Sequence, residues 1–326
     1  LNGGDEKIVT IIGDASLSGG MAFEALNQLG QLQTPMVVIL NDNEMSISRN
    51  VGAFARYLGE KRASREYTRT RDSVQSALEA SGPLGRGLVD LGRNAKDSFK
   101  QMVIPGEMLF EKLGITCTAP IPGHDIAALK RALRVCLEAD GPTLLHVVTK
   151  KGKGYEPAEE NPSKFHGIGP YDIATGEVKK GSSSAPKYTS VFSKAIVAEA
   201  ERDHDIVAIT AAMKDGTGLA AFSEKFPKRF IDTGIAEEHA VALASGLALG
   251  GKKPVVCIYS TFMQRAFDQL VINNALANTN VVFCLDRAGL VGDDGPTHHG
   301  VFDIAYGRMV PGVRMMAPSD EAELVH

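Results

Sequence analysis

The stretch from Ile8 to Ser48 limits what this chain can fold into more than any other. An apolar run (Ile8, Val9, Ile11, Ile12) leads into Gly13-Asp14-Ala15-Ser16. A helical segment follows, then a second apolar run from Val37 to Leu40 and the polar cluster Asn41-Asp42-Asn43-Glu44-Met45. Apolar runs of about five residues bounded by glycine read as buried parallel strands, and two of them joined by a helix make a βαβ unit. Both polar clusters then sit at the carboxyl ends of neighbouring strands, where open α/β sheets bind ligands.

Those clusters have a specific chemistry. Asp14 offers a carboxylate and Asn43 an amide oxygen, hard ligands suited to a magnesium ion that keeps sites for a phosphorylated partner. The small residues Gly13, Ala15 and Ser16 let the main chain approach an anion, and a helix beginning after them presents unpaired N–H groups. A metal-bridged diphosphate suits this arrangement better than a sugar or a peptide.

Gly-Asp-small, then just under thirty residues, then an asparagine cluster resembles the pattern of the thiamine diphosphate enzymes. The wording from Gly13 to Asn27, followed by Asn41 to Ser48, is similar to the 1-deoxy-D-xylulose-5-phosphate synthase family within the transketolase-like group. The resemblance covers most of the chain and is weakest between about Asn50 and Gln101. It implies an α/β fold of two doubly wound parallel-sheet domains, one gripping the diphosphate and one the pyrimidine of the cofactor. It also implies that Asp14 and Asn43 ligate magnesium with the backbone of Met45, and that Ala15 and Ser16 lie against the diphosphate. Ala15 departs from the second glycine of the general motif, which restricts the backbone at that point.

The length of 326 residues suggests two domains, and 44% hydrophobic residues suffice for a core in each. A net charge of -4 gives no electrostatic case for nucleic acid or an anionic membrane as partner. No apolar stretch is long enough to span a bilayer and no signal-peptide pattern opens the chain, so a soluble cytoplasmic protein is expected. Cys117, Cys136, Cys257 and Cys284 are widely spaced and read as reduced, buried thiols. Because the chain enters a core strand almost at once and stops soon after Pro318-Ser319-Asp320-Glu321, whereas the resembled family extends in both directions, it is expected to be a fragment.

The first domain is expected over residues 1–181, with a basic, glycine-containing excursion over about 50–105. That excursion reads as a solvated loop, or as a lid over phosphate groups. Strand and helix alternate again from Gly106, with a short helix over Met108–Gly114 ended by glycine, a strand from Ile115 to Thr118, a helix from Ile126 to Leu137 and a buried strand from Thr143 to Val148. Asp125 reads as the cap of that helix, with His124 packed beside it. The loop Lys150-Lys151-Gly152-Lys153-Gly154-Tyr155 is basic and glycine-rich but is no P-loop. By resemblance, Tyr155 contacts the cofactor, and His166 in Phe165-His166-Gly167 sits over the reacting ring and moves protons.

A linker is expected at 182–187 and a second, pyrimidine-binding domain over 188–326. Its chemical centre is Gly234-Ile235-Ala236-Glu237-Glu238-His239, followed by a helix rich in small residues. By position in the family's motif, Glu237 bonds the aminopyrimidine ring and thereby activates the cofactor's C2–H; as a plain structural residue it would cap the helix. Tyr259, Arg265, Arg287, Asp294 and His298 fall on family positions lining the acceptor pocket. Arg287 and Tyr259 are assigned to a phosphate and His298 to polar contact with the reacting groups, since the guanidinium fork suits phosphate.

The resemblance therefore implies decarboxylative condensation of pyruvate with D-glyceraldehyde 3-phosphate to 1-deoxy-D-xylulose 5-phosphate, by a homodimer using thiamine diphosphate and magnesium. Two alternatives stand beside it: transketolase-type ketol transfer, and a catalytically silent fragment that binds cofactor without turnover.

Overall fold

In the computed structural model the described residues are 4–45, 50–63, 109–178, 186–292 and 294–326. The chain divides into two compact units, Leu1–Pro162 and Ser163–His326. Most of the expected linker and most of the expected excursion lie outside the described residues.

The first unit is a parallel sheet in the order β1 (Ile8–Gly13), β2 (Met36–Asp42), β5 (Thr143–Val148), β3 (Thr116–Cys117), with β4 (Ile121–Pro122) pairing further along the same edge of β5. Period-two alternation divides the central strands between two cores. Val37, Leu145 and Val147 pack with Ala128, Ala132 and Cys136 of the Ile126–Leu137 helix. Leu40 and Leu144 pack on the other face with Leu17, Leu26, Leu58 and Phe110. Cover on both faces explains why β2 and β5 read as continuous apolar runs. Asp125 caps the Ile126–Leu137 helix, its Oδ1 accepting the Ala128 N–H at 2.9 Å.

Two expectations need correction. β1 is parallel, but among the described residues it pairs with β2 alone and is not buried: Ile11 is 72% exposed. Helical backbone begins at Asp14 rather than after Ser16, as a single turn Asp14–Leu17 that breaks at Ser18-Gly19 before the Gly20–Leu32 helix. Gly19 takes extended dihedrals and restarts the helix as its N-cap.

The second unit is a parallel sheet ordered β7 (Phe230–Asp232), β6 (Ile206–Thr210), β8 (Lys253–Tyr259), β9 (Val282–Asp286). Strand order reverses at β6, which makes a topological switch point. Val207, Ile209, Val256 and Ile258 pack under the Glu237–Leu249 helix against Ala240, Val241 and Ala244. Ala208 and Cys257 face Ile196, Ala200 and Phe222 from the Tyr188–Arg202 and Ala220–Lys225 helices. All four cysteines are free; Cys284 is half-buried, the others buried, and Cys257 pairs in register with Cys284.

Gly30 tests the packing of the first unit. A Cβ there would stand 1.8 Å from the Leu113 carbonyl oxygen. Gly-to-Ala inside a helix ordinarily stabilises by about 1 kcal/mol. Gly30→Ala is expected to destabilise instead, by about 1–3 kcal/mol, read as a lower denaturant midpoint.

Candidate active site

In the first unit the carboxyl ends of β1, β2 and β5 converge on Asp14. It opens a helical turn and is 4% exposed. Its Oδ2 accepts the main-chain N–H of Glu44 at 2.9 Å and the Asn50 amide at 2.7 Å. Burial raises the Asp14 pKa to about 6, and the neighbouring Asp42 carboxylate adds to the shift, while the N–H groups of Ala15 and Glu44 oppose it. Asn43 and Met45 follow on the turn after β2, where Glu44 has a φ of 64° and Asn43 Oδ1 accepts the Met45 N–H at 3.0 Å. A carboxylate held beside a second buried carboxylate, next to an amide oxygen with a lone pair to spare, is a donor set that a hard cation would stabilise. Among the described residues no three His, Cys, Asp or Glu side chains gather as a metal cluster, so a cation here would draw on amide and main-chain oxygens.

Ala15 is half-buried and Ser16 exposed on the same turn, and Gly13 opens onto free space where a Cβ would meet nothing. The basic loop lies beside them. Burial lowers the Lys151 pKa and the charge of Asp14 opposes that shift. Glu159 closes the loop by pairing with Lys150 Nζ and accepting the Gly154 N–H at 2.8 Å, which leaves half-buried Tyr155 as the cap of the Glu156–Glu160 helix. His124 packs behind it, its Nε2 accepting the Lys150 N–H at 2.8 Å.

In the second unit, Asp232 at the end of β7 organises the switch point. Its Oδ1 accepts the N–H groups of Ala212, at a φ of 61°, and Gly234, at 2.8 and 2.9 Å. Glu237 opens the next helix and is 3% exposed. Its carboxylate pairs with Arg265, whose other nitrogen lies 3.3 Å from Glu238. Burial raises the Glu237 pKa, partly offset by its own N–H and by Arg265. Arg265, expected at an acceptor pocket, thus bridges the two glutamates.

A row of rings lies at the ends of β8 and β9. Arg287 lies over the Tyr259 ring at 4.6 Å, Tyr259 stacks on Phe262 at 5.8 Å, and Phe262 meets His298 edge-on at 5.3 Å. Arg287, at a φ of 60°, bonds Asp286 at 2.8 Å and the Gly216 carbonyl at 3.2 Å through Nη1, and its Nε is 3.5 Å from Asp294. Gly216 has to be glycine, since a Cβ would stand 2.1 Å from the Tyr259 hydroxyl. Reciprocal main-chain hydrogen bonds between Gly289 and Gly300 close the loop that carries Asp294 and His298. His166 is exposed, its N–H donating to Ser163 O at 3.3 Å, and it falls within the second compact unit rather than the first.

Sequence reading missed Asp42, His146, Asp232 and Asp286, which hold the named residues in place. A histidine inside the apolar run of β5 and aspartates closing β2, β7 and β9 were the available signals.

Residues 1–149 match the family described as 1-deoxy-D-xylulose-5-phosphate synthase, and residues 184–326 match the transketolase pyrimidine-binding domain. The chain is 53% identical over its whole length to the 1-deoxy-D-xylulose-5-phosphate synthase of Desulforudis audaxviator and 51% identical to synthase 1 of Geobacter sulfurreducens, covering 51% of each. Among solved structures, transketolase from Leishmania mexicana aligns over 98% of this chain and 53% of that one, at 16% identity and a TM-score of 0.41. The chain spans about half the length of the curated relatives it matches.

Burial of Glu237 sets a pH signature. A raised folded pKa means that the folded state holds the proton more tightly than the unfolded chain. Stability is therefore full below the unfolded value of about 4.3 and is lost as pH rises through the folded value. Glu237→Gln keeps the neutral form at every pH. It is expected to melt higher than the parent near neutrality, with the difference closing as pH falls toward the unfolded value; thermal melts across that range read it.

Proposed function

We infer the function from family membership: this chain belongs to the 1-deoxy-D-xylulose-5-phosphate synthase family, of whose members it spans about half. It contributes the two cofactor-holding domains to decarboxylative condensation of pyruvate with D-glyceraldehyde 3-phosphate, giving 1-deoxy-D-xylulose 5-phosphate and carbon dioxide. The observation that carries this reading is Glu237, a carboxylate buried at the switch point of the second sheet with its pKa raised by desolvation. No membrane-length apolar helix occurs among the described residues, and the reading takes the working protein to be a cytoplasmic homodimer, which light scattering on the purified chain would test.

The family implies thiamine diphosphate, which when bound supplies a carbon nucleophile for the keto group of pyruvate and passes a two-carbon unit to the aldehyde. Asp14, Asn43 and the main chain of Met45 would hold magnesium on its diphosphate. Ala15 and Ser16 lie on the turn assigned to that diphosphate, and Lys151 and Tyr155 lie on the neighbouring loop. Glu237 is the partner for the aminopyrimidine ring, and Arg265 must loosen its hold for that bond to form. Just past the end of β9, Arg287 spends Nη1 and Nε on Gly216, Asp286 and Asp294. Its remaining Nη2, with the Tyr259 hydroxyl, is assigned to the aldehyde's phosphate. His298 and His166 are assigned to hold and move protons at the reacting oxygens, with Asp294 bordering the pocket.

Calorimetric titration with thiamine diphosphate, with and without magnesium, tests the first half of this reading. Binding is expected to require magnesium and to be lost in Asp14→Ala; a folded chain that binds no cofactor contradicts it. Arg287→Ala tests the second half. Losing a charge-assisted hydrogen bond of roughly 1.5–3 kcal/mol is expected to raise the KM for the phosphorylated aldehyde about tenfold or more, with the KM for pyruvate unchanged.

A further inference from the structure

We propose that His146 is a positioning residue of the first unit's half-site, holding through Asp42 the turn that carries Asn43 and Met45. This rests on the magnesium and diphosphate reading given above. His146 lies inside the otherwise apolar strand β5 and is 1% exposed, and Asp42 at the end of β2 is 0% exposed. An imidazole and a carboxylate buried this deeply cost stability unless they satisfy one another. His146 Nε2 is 2.8 Å from Asp42 Oδ2, and its main-chain N–H donates to the Thr118 hydroxyl at 3.2 Å. Nε2 is the ring atom that faces the Asp42 carboxylate, and it is assigned the proton of that hydrogen bond.

The register explains why the two meet. His146 pairs with Leu40, and Asp42 follows Leu40 by two, so both side chains leave the sheet on the face where Leu17 of the Asp14 turn packs. Three further bonds hold the end of β2. The Thr149 N–H donates to Asp42 O at 2.9 Å, the Thr149 hydroxyl donates to Asn41 Oδ1 at 2.7 Å, and the Glu44 N–H is shared between Asp14 Oδ2 at 2.9 Å and Asp42 Oδ1 at 3.4 Å. With Oδ2 engaged by the imidazole, the Asp42 carboxylate is held beside Asp14 with Oδ1 facing the Glu44 N–H. The positive φ of Glu44, and hence the direction of the Asn43 amide and the Met45 carbonyl, then has a fixed anchor. His146 reaches no ligand itself; it acts through Asp42, as outer-shell partners of metal ligands do.

Two substitutions separate positioning from bulk. His146→Phe keeps ring volume and removes the donor, while His146→Gln retains an N–H of similar reach. In the cofactor-free chain, nitrogen–proton spectra are expected to show the Glu44 and Met45 amide resonances displaced in His146→Phe and returned toward the parent positions in His146→Gln. In magnesium titrations at saturating thiamine diphosphate, His146→Phe is expected to weaken magnesium about 10- to 100-fold, with most of the loss recovered in His146→Gln. Unmoved amides in a folded His146→Phe, or a loss of affinity that His146→Gln does not recover, overturns the proposal. Should the parent bind no cofactor, the functional reading fails while the amide resonances still decide the positioning role. Should His146→Phe not fold, the parent's own ring decides: a slowly exchanging Nε2–H supports the assignment and an unprotonated Nε2 overturns it.

Discussion

Removing carboxylates from water at the ends of parallel strands is the constraint on which the rest of this molecule depends. Asp14, Asp42 and Glu237 are all buried, and each must be repaid by a nearby proton donor or cation. The first unit repays Asp42 with an imidazole from the next strand and Asp14 with main-chain N–H groups. The second repays Glu237 with a guanidinium. In both units a local N–H is joined by a donor from an element distant in sequence: Glu44 for Asp14, His146 for Asp42 and Arg265 for Glu237.

Strained backbone marks the same places. Glu44, Ala212 and Arg287 take positive φ just beyond β2, β6 and β9, whereas the other two such non-glycine residues among the described ones, Gln33 and Asn278, follow helical segments. An L-residue in that region costs of order 1 kcal/mol or more and persists where its surroundings fix it. Here the fixing groups are aspartates: Asp14 and Asp42 around Glu44, Asp232 on Ala212, and Asp286 on Arg287. The strand-end aspartates serve as struts for the residues that do chemistry.

Much of this was legible in the sequence. The strands Thr143–Val148 and Ile206–Thr210 and the helix Ile126–Leu137 appear where their apolar periodicity puts them, because each is covered by its own unit's core. Edge strand β1 was read as buried because an apolar run does not say how many neighbours it has. The two-residue strands β3 and β4 are too short to carry a period. Arg265, assigned by likeness to the lining of an acceptor pocket, also pairs with Glu237, a contact the sequence did not announce because a motif fixes the position of a Cα and not the direction of a long side chain. His146 and Asp42 were passed over for a related reason: their pairing depends on the register between strands 104 residues apart.

The split edge of the first sheet has its own consequence. β3 and β4 each pair with β5 over two residues, and β4 ends in Pro122, which has no N–H to offer. An edge this short and interrupted gives an incoming strand too few consecutive partners, a recognised protection against edge-to-edge aggregation. The opposite edge is six unbroken residues of β1 with apolar side chains exposed on it. Among the described residues, the β1 edge is therefore the side of this sheet that offers an incoming strand an unbroken row of partners.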